Sequence, residues 1–336
     1  MRRFEYVRAA DPATAIHAVG REPDVPPVLA HDQYLAGGTT LLDLMKLDVM
    51  RPSRVVDIND LSHRFGQIAL DARGLHLGAF AHMAEVADHP GVQREYPVIA
   101  QSLQLAASPQ LRNMATLGGN VLQRTRCTYF RDVSWAECNK RNPGSGCAAL
   151  HGVNRKHAVL GTSERCIASY PGDFAQALVA LDAEVEIAGA AGARRMRFED
   201  LHRLPGNTPH IETVLAPDDL ITGFFIPAAP HTRRSLYLKI RDRQSYEFAL
   251  ASAAVALDLR DGVVNEARIA LGGVAAKPWR AREAEAVLKG KRLDEQSALQ
   301  AAEAAFAHAV THGQNAYKPE LGRRTVVRAL LQLAEA

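Results

Sequence analysis

No stretch of this chain is apolar over the roughly 18 residues that a membrane span requires. The N-terminus begins Met1-Arg2-Arg3-Phe4-Glu5-Tyr6, and the apolar segment of a signal peptide does not follow the two arginines. The chain is therefore expected to fold in the cytoplasm. It has no surplus of either charge: Lys and Arg number 40, Asp and Glu 37, for a formal charge of +3. That balance argues against nucleic-acid binding, which calls for a basic patch or tail. Arg323, Arg324 and Arg328 alternate with Leu and Val in a helical pattern and read as a solvated helix face. Neither G-x-G-x-x-G nor a P-loop occurs. None of the 13 histidines falls into metal-ligand spacing, and no internal repeat is visible. Cysteine is scarce but not scattered. All four, Cys127, Cys138, Cys147 and Cys166, lie within 40 consecutive residues of the 336.

What is present reads as alternating strands and helices. At roughly 150 residues per domain, the length allows two domains or three small ones. Residues 4–7 predict a strand, and Asp11-Pro12 caps a helix over 13–19. Strands are expected at 28–30 and 55–58, with Gly37-Gly38-Thr39-Thr40 turning into a helix at Leu41. This unit ends near residue 60. A second unit, 61–227, begins with a hairpin (68–70 and 75–78) and helices at 83–87 and 98–107. It resumes at Asp173, a good N-cap for a helix over 174–181, and continues as strands near 183–187, 195–198 and 220–226. Residues 228–234 resemble a linker. The third unit, 235–336, has a strand at 236–240, a helix-or-strand stretch at 249–259, a turn at Asp261-Gly262 and Ala/Leu-rich helices from Arg280 onward.

The segment 121–168 shows little periodicity and holds all the cysteines, spaced Cys-x10-Cys-x8-Cys-x18-Cys. Loops this long are uncommon and usually functional. Disulfides need an oxidising compartment, which no signal peptide supports. Structural zinc usually includes a close Cys-x2–4-Cys pair, which is missing here. An iron–sulfur cluster takes four thiolates from wider spacings. Between residues 124 and 165 eight basic residues (Arg124, Arg126, Arg131, Lys140, Arg141, Arg155, Lys156, Arg165) face three acids (Asp132, Glu137, Glu164), which suits an anionic guest. Cluster, zinc site and four free thiols all remain open on spacing alone. His151 and His157 lie nearby without needing to be ligands.

Two glycine turns stand out. Gly37-Gly38 is followed by Thr39 and Thr40, and Gly118-Gly119 is bracketed by Thr116 and Asn120. Consecutive glycines let backbone N–H groups converge on an anion, and threonine hydroxyls can donate to the same oxygens. Such a pair could clamp a pyrophosphate. Isolated Gly-Gly turns are also common, and alone they identify no ligand.

Taken in order, Ala36-Gly37-Gly38-Thr39-Thr40-Leu41, Arg112-Asn113-Met114-Ala115-Thr116-Leu117-Gly118-Gly119-Asn120, Tyr170-Pro171-Gly172-Asp173 and Lys239-Ile240-Arg241-Asp242-Arg243 resemble the FAD-binding subunits of molybdenum hydroxylases, the xanthine dehydrogenase family. The resemblance covers nearly the whole chain. The runs from Arg126 to Phe130 and from Cys138 to Cys147 narrow it to the branch of bacterial periplasmic aldehyde oxidoreductases, whose flavin subunit has an added 4Fe–4S cluster. Departures are small: Gly172 stands where relatives often have Ser, and Thr40 where the nearest has Asn.

The resemblance implies an α+β fold: a vanillyl-alcohol-oxidase (PCMH)-type FAD-binding fold of two α/β subdomains (1–60 and 61–227, with an iron–sulfur insert at 121–168), then a C-terminal α/β domain (235–336). By position it assigns Ala36, Gly37, Gly38, Thr39, Thr40 and Leu41 to the first pyrophosphate loop, and Thr116, Gly118, Gly119 and Asn120 to the second. Asp173 is implied on the FAD ribose side, Ile221 and Lys239 beside the flavin. Cys127, Cys138, Cys147 and Cys166 are implied as ligands of the 4Fe–4S cluster. The implied activity is electron transfer in a heterotrimer, from 2Fe–2S clusters through FAD to an external acceptor. A molybdenum-cofactor large subunit and a 2Fe–2S small subunit would be the partners, with no nucleic acid or membrane involved. A partner with a twin-arginine signal would carry the folded chain to the periplasm. The rival readings are a zinc-stapled assembly module and a self-contained FAD oxidase. Because the insert is polar, cluster ligation is expected to order it, chiefly as a staple, and its basic residues are expected to raise the cluster potential.

Overall fold

The computed structural model describes residues 1–20, 22 and 25–335. Its first sheet is small and parallel: β1 (Glu5–Arg8), β2 (Asp32–Leu35) and β3 (Arg54–Asp57) lie in the order β1-β3-β2. The helix Pro12–Ala18 follows β1. Asp11 Oδ1 accepts the Thr14 N–H at 2.9 Å, and Pro12 sits where no N–H is needed. β2 departs from expectation. Residues 27–29 form a turn with Val28 buried, and the strand lies further on. Pro26 and Pro27 bring no N–H to a ladder. Asp32, Gln33 and Tyr34 line a cavity, so polar side chains are tolerated in this strand.

The second sheet is antiparallel. β4 (Ile68–Asp71), β5 (Gly74–Gly78), β6 (Glu184–Gly189), β7 (Gly192–Arg197) and β8 (Leu220–Pro227) run in the order β4-β5-β8-β6-β7. Every residue of the helix Phe174–Ala180 is buried, and Phe174 meets Phe224 of β8 edge-on at 5.8 Å.

The C-terminal sheet holds β9 (Ser235–Ile240), β10 (Ala251–Arg260), β11 (Val263–Gly272) and β12 (Trp279–Arg280), ordered β12-β11-β10-β9. The stretch whose type the sequence left open is β10. Its Ala254 and Ala256 join the core shared with β5, β8 and the helix Phe174–Ala180. Its Ala253, Val255 and Leu257 join a second core with the helices Arg282–Leu288, Glu295–Ala305 and Lys318–Ala334. Both faces are covered, so the apolar run never alternates with polar residues. The turn into β11 uses positive φ at Asp261 (52°) and Gly262 (77°), as a tight hairpin requires. The expected linker is not loose: His231 and Thr232 are buried.

The cysteine insert orders itself more than its composition suggests. Tyr129, Phe130, Ala149 and Ile167 are buried, and Phe130 joins Leu44, Met45 and Val55 of the first unit. Val159 and Leu160 join the C-terminal core. Asn139 Oδ1 accepts from the Gly144 and Gly146 amides at 3.1 Å, while its Nδ2 donates to Arg165 O at 2.9 Å. The Arg141 guanidinium, itself buried, donates to the carbonyls of Tyr129, Phe130 and Trp135. Apolar anchors and the bonds of Asn139 and Arg141 thus help to order a segment to whose order ligation is expected to contribute.

Lys318 ties the last helix to the insert. It is fully buried, and its Nζ donates to Gly273 O at 2.7 Å and Lys156 O at 2.9 Å. Burial, aided by Arg155 and Lys156, pushes its ammonium down to about 7. The unfolded chain keeps that proton to about 10.4. Between the two values the unfolded state binds more protons, so this group makes the fold gain stability as pH rises. Denaturant titrations from about pH 7 to about pH 10 should show that gain, and Lys318→Met should flatten it.

Candidate functional site

A cavity of about 380 Å³ lies between the first unit, the second unit and the insert. That is within the usual range for ligand sites. Ala36, Gly37, Gly38, Thr39, Thr40, Leu41, Thr116, Gly118, Gly119 and Ile221 all line it.

The first turn follows β2 and bends through Gly38 at φ +73°. No acceptor among the described residues takes the backbone N–H of Gly37, Gly38, Thr39 or Thr40, and the Thr39 and Thr40 hydroxyls have no partner there either. Backbone donors on a cavity wall that no protein group takes are open to water or to a ligand. Four in succession make an anion cradle.

The second turn works differently from the expectation. Its amides are already used: Leu117 N donates to Ala81 O, Gly118 N to Ala79 O, Gly119 N to the Thr116 hydroxyl at 3.2 Å and Asn120 N to Thr116 O. Thr116 caps the short helix Leu117–Val121. The Gly-Gly pair here supplies a bare wall rather than donors. The two turns also touch: a Cβ on Gly37 would stand 1.9 Å from Met114 O, just ahead of the second turn.

Three expected residues lie outside the cavity lining. Asn120 Nδ2 instead contacts Met83 Sδ at 3.3 Å. Asp173 and Lys239 form a buried ion pair at 2.7 Å behind the site. Asp173 also accepts from the Tyr237 hydroxyl at 2.7 Å, and Lys239 donates to Leu105 O at 3.0 Å. Asp173 makes no side-chain cap bond, because the lysine and tyrosine hold both its oxygens.

The insert supplies the opposite wall through Arg124, Thr125, Lys140 and Cys166, with Ser169 just beyond it. Glu212 joins it there, a residue with no sequence signal because it sits on a distant loop. It bonds Arg124 Nε at 2.6 Å and Lys140 Nζ at 2.9 Å. Burial alone would raise its carboxyl, but the fields of Arg124 and Lys140 overcome this and hold it at about 2. Other acids pair the remaining basic residues: Asp43 with Arg126 (3.2 Å) and Arg131 (2.9 Å), Asp242 with Arg155 (3.0 Å) and Glu247 with Lys156 (3.3 Å). The positive excess read from the segment is thus largely offset by acids from outside it. His202, another residue not foreseen, donates from Nε2 to Val121 O (2.9 Å), and burial pushes it down to about 4.

The four thiols are free. Cys138 and Cys147 face each other on an antiparallel bridge. Cys127 packs against the apolar group that includes Cys138 and, on another side, the one that Cys147 touches. Burial pushes Cys127 up to about 12 and Cys166 up to about 11, so both stay protonated unless a cation displaces the proton. Among the described residues no three His, Cys, Asp or Glu side chains are gathered as a single metal ion would hold them. A tetrahedral zinc needs sulfurs about 3.8 Å apart, whereas a cuboidal iron–sulfur cluster spreads four thiolates wider. The donor set, four soft sulfurs, is of the kind such a cluster takes.

Residues 2–229 match the FAD binding domain in molybdopterin dehydrogenase, and residues 236–333 match the CO dehydrogenase flavoprotein C-terminal domain. The chain belongs to the FAD-binding subunits of the molybdenum hydroxylase family. It is 43% identical over 333 residues to the FAD-binding subunit of an aldehyde oxidoreductase from Escherichia coli K12, covering 99% of this chain and 98% of that one. It is 28% identical over 307 residues to the medium subunit of nicotine 6-hydroxylase from Paenarthrobacter nicotinovorans, covering 88% and 89%. Carbon monoxide dehydrogenase from Hydrogenophaga pseudoflava superposes with a TM-score of 0.75 at 25% identity, over 99% of this chain and 98% of that one. The expected α+β FAD-binding fold with its C-terminal domain is the fold observed. The chain is the FAD subunit of a molybdenum-dependent oxidoreductase of aldehyde-oxidoreductase type. Among the described residues no helix is long and apolar enough to cross a membrane.

Two outcomes test this geometry. Gly37→Ala should cost about 1–3 kcal/mol of stability by overpacking the Met114 carbonyl. Gly119→Val, whose Cβ would meet only Thr116 Oγ1 at 3.1 Å, should fold normally yet bind FAD at least about tenfold more weakly; denaturant unfolding reads the first outcome and fluorescence titration of the apoprotein with FAD the second. Separately, Glu212→Gln should lower stability near neutral pH by about 3 kcal/mol at most. The Glu212 carboxylate stabilises the fold above its unfolded value of about 4.3, and that contribution fades as pH falls toward 2. Denaturation curves of the two proteins should therefore converge in acid.

Proposed function

We propose that this chain is the FAD- and 4Fe–4S-carrying electron-transfer subunit of a heterotrimeric molybdenum hydroxylase that oxidises aldehydes. The observation behind this is a single cavity with an unspent amide cradle on one wall and Cys166 on the other. When bound, FAD supplies a one- or two-electron centre and the cluster a one-electron centre. The chain's own residues bind and tune. The Gly37–Thr40 amides and the two threonine hydroxyls take the FAD pyrophosphate. Ala36, Leu41, Thr116, Gly118, Gly119 and Ile221 shape its surroundings. Asn120, Asp173 and Lys239 support the site from behind: the ion pair fixes β9 to the helix Phe174–Ala180. Cys127, Cys138, Cys147 and Cys166 hold the iron, and no residue here acts as a base on the substrate.

The aldehyde class and the partners are supported by the relatives: the first is an aldehyde oxidoreductase subunit, and others are medium subunits, which implies a large and a small chain beside them. We assign those roles to a molybdenum-cofactor chain and a 2Fe–2S chain. The division into 1–60, 61–227 with the insert 121–168, and 235–336 is part of this reading, as is export in company with a signal-bearing partner.

Replacing any of the four cysteines by Ser should lower iron and acid-labile sulfide while leaving FAD bound. Because apolar anchors hold the insert, these variants should still fold as far-UV circular dichroism reads it. Full iron in all four would sink the cluster assignment, and stoichiometric zinc in the native chain would favour the zinc-stapled module.

A further inference from the structure

His157 has no part in the site described so far. It lies at the inner end of the insert and is buried. Its Nε2 stands 3.2 Å from Cys127 Sγ. Its Nδ1, equally buried, has no partner. The ring leans on Tyr129 at 6.3 Å between centroids, and the Tyr129 hydroxyl is itself held by the Val153 amide. The His157 amide donates to Asn154 O at 2.9 Å, and Asn154 is fixed by bonds to Ala149 O and from the Gln314 amide. The ring is therefore clamped with one nitrogen on the sulfur and the other without a hydrogen-bond partner.

That arrangement selects a tautomer. A metal-bound thiolate carries no proton and can only accept. Nε2 must then bear the ring's hydrogen, leaving Nδ1 a bare lone pair, as its lack of a donor or acceptor partner permits. Hydrogen bonds to cluster sulfurs draw electron density from the iron and favour the reduced state. The basic residues that would otherwise do this are mostly paired with Asp43, Glu212, Asp242 and Glu247.

We propose that His157 donates an Nε2–H···Sγ hydrogen bond to the Cys127 thiolate and thereby sets the electron affinity of the iron–sulfur centre. His157 is a positioning and tuning residue, not a ligand. The inference rests on the reading that the four cysteines hold a cluster.

The test is a dithionite titration of the anaerobically isolated full chain, with redox mediators, followed by electron paramagnetic resonance. His157→Leu should keep its iron and sulfide but be harder to reduce, by up to about tenfold in the reduction equilibrium, or about 59 mV for one electron. His157→Gln, which keeps an N–H, should recover part of that shift. In the wild-type chain, ¹⁵N-histidine labelling should give a hyperfine coupling in the reduced signal. A loaded Leu variant at the wild-type potential, or a labelled wild type without the coupling, overturns this inference alone. A native chain isolated without iron and sulfide overturns the cluster reading and this inference with it. Should the Leu variant lose its iron, the labelling result on the native chain decides.

Discussion

The structure depends on how a basic, irregular segment is held against three separate parts of the chain. Asp43 from the first unit, Glu212 from the second and Asp242 with Glu247 from the third each pair with arginines or lysines of the insert. Exposed pairs of this kind stabilise little. The Glu212 pairs are different, because Arg124 and Lys140 are largely buried and an unpaired charge there would be expensive. The acids therefore act as address labels as much as glue. They fix which surfaces the insert touches, and so bring Cys166 and Lys140 to the cavity wall.

The same arrangement joins two sites that look independent in the chain. The insert begins where the second glycine turn ends, and Thr125, through a hydroxyl bond to Ser169 O at 2.9 Å, closes it back on itself before the helix Phe174–Ala180 starts. Both ends are pinned beside the cavity, and Cys166 on its wall makes the cysteine segment part of that cavity's architecture rather than an appendage to it. Its neighbours are acids and bases in near balance, which leaves individual hydrogen bonds to sulfur with more influence.

Much of this was legible in the residues, because local rules decide it. Asp11 caps a helix, Asp261-Gly262 makes a hairpin, and Gly37-Gly38-Thr39-Thr40 forms a turn with spare donors. The two glycine turns looked alike in sequence but differ in structure, since the acceptors for the second, Ala79 O and Ala81 O, come from a segment nearly 40 residues earlier. Asp173 has the sequence of a cap and the partners of an ion pair, because Lys239 reaches it only after β9 is placed. The strand Asp32–Leu35 escaped notice because its polar side chains face a cavity, where the usual alternation does not apply. Glu212 could not be read at all: nothing local to it hints at Arg124 or Lys140.

β10 separates the flavin-side core from the C-terminal helices, with Ala254 and Ala256 on one side and Ala253, Val255 and Leu257 on the other. A partition this thin, built mainly of alanine, makes one strand answer to two cores at once, so enlarging any of its side chains presses on the core of one side or the other.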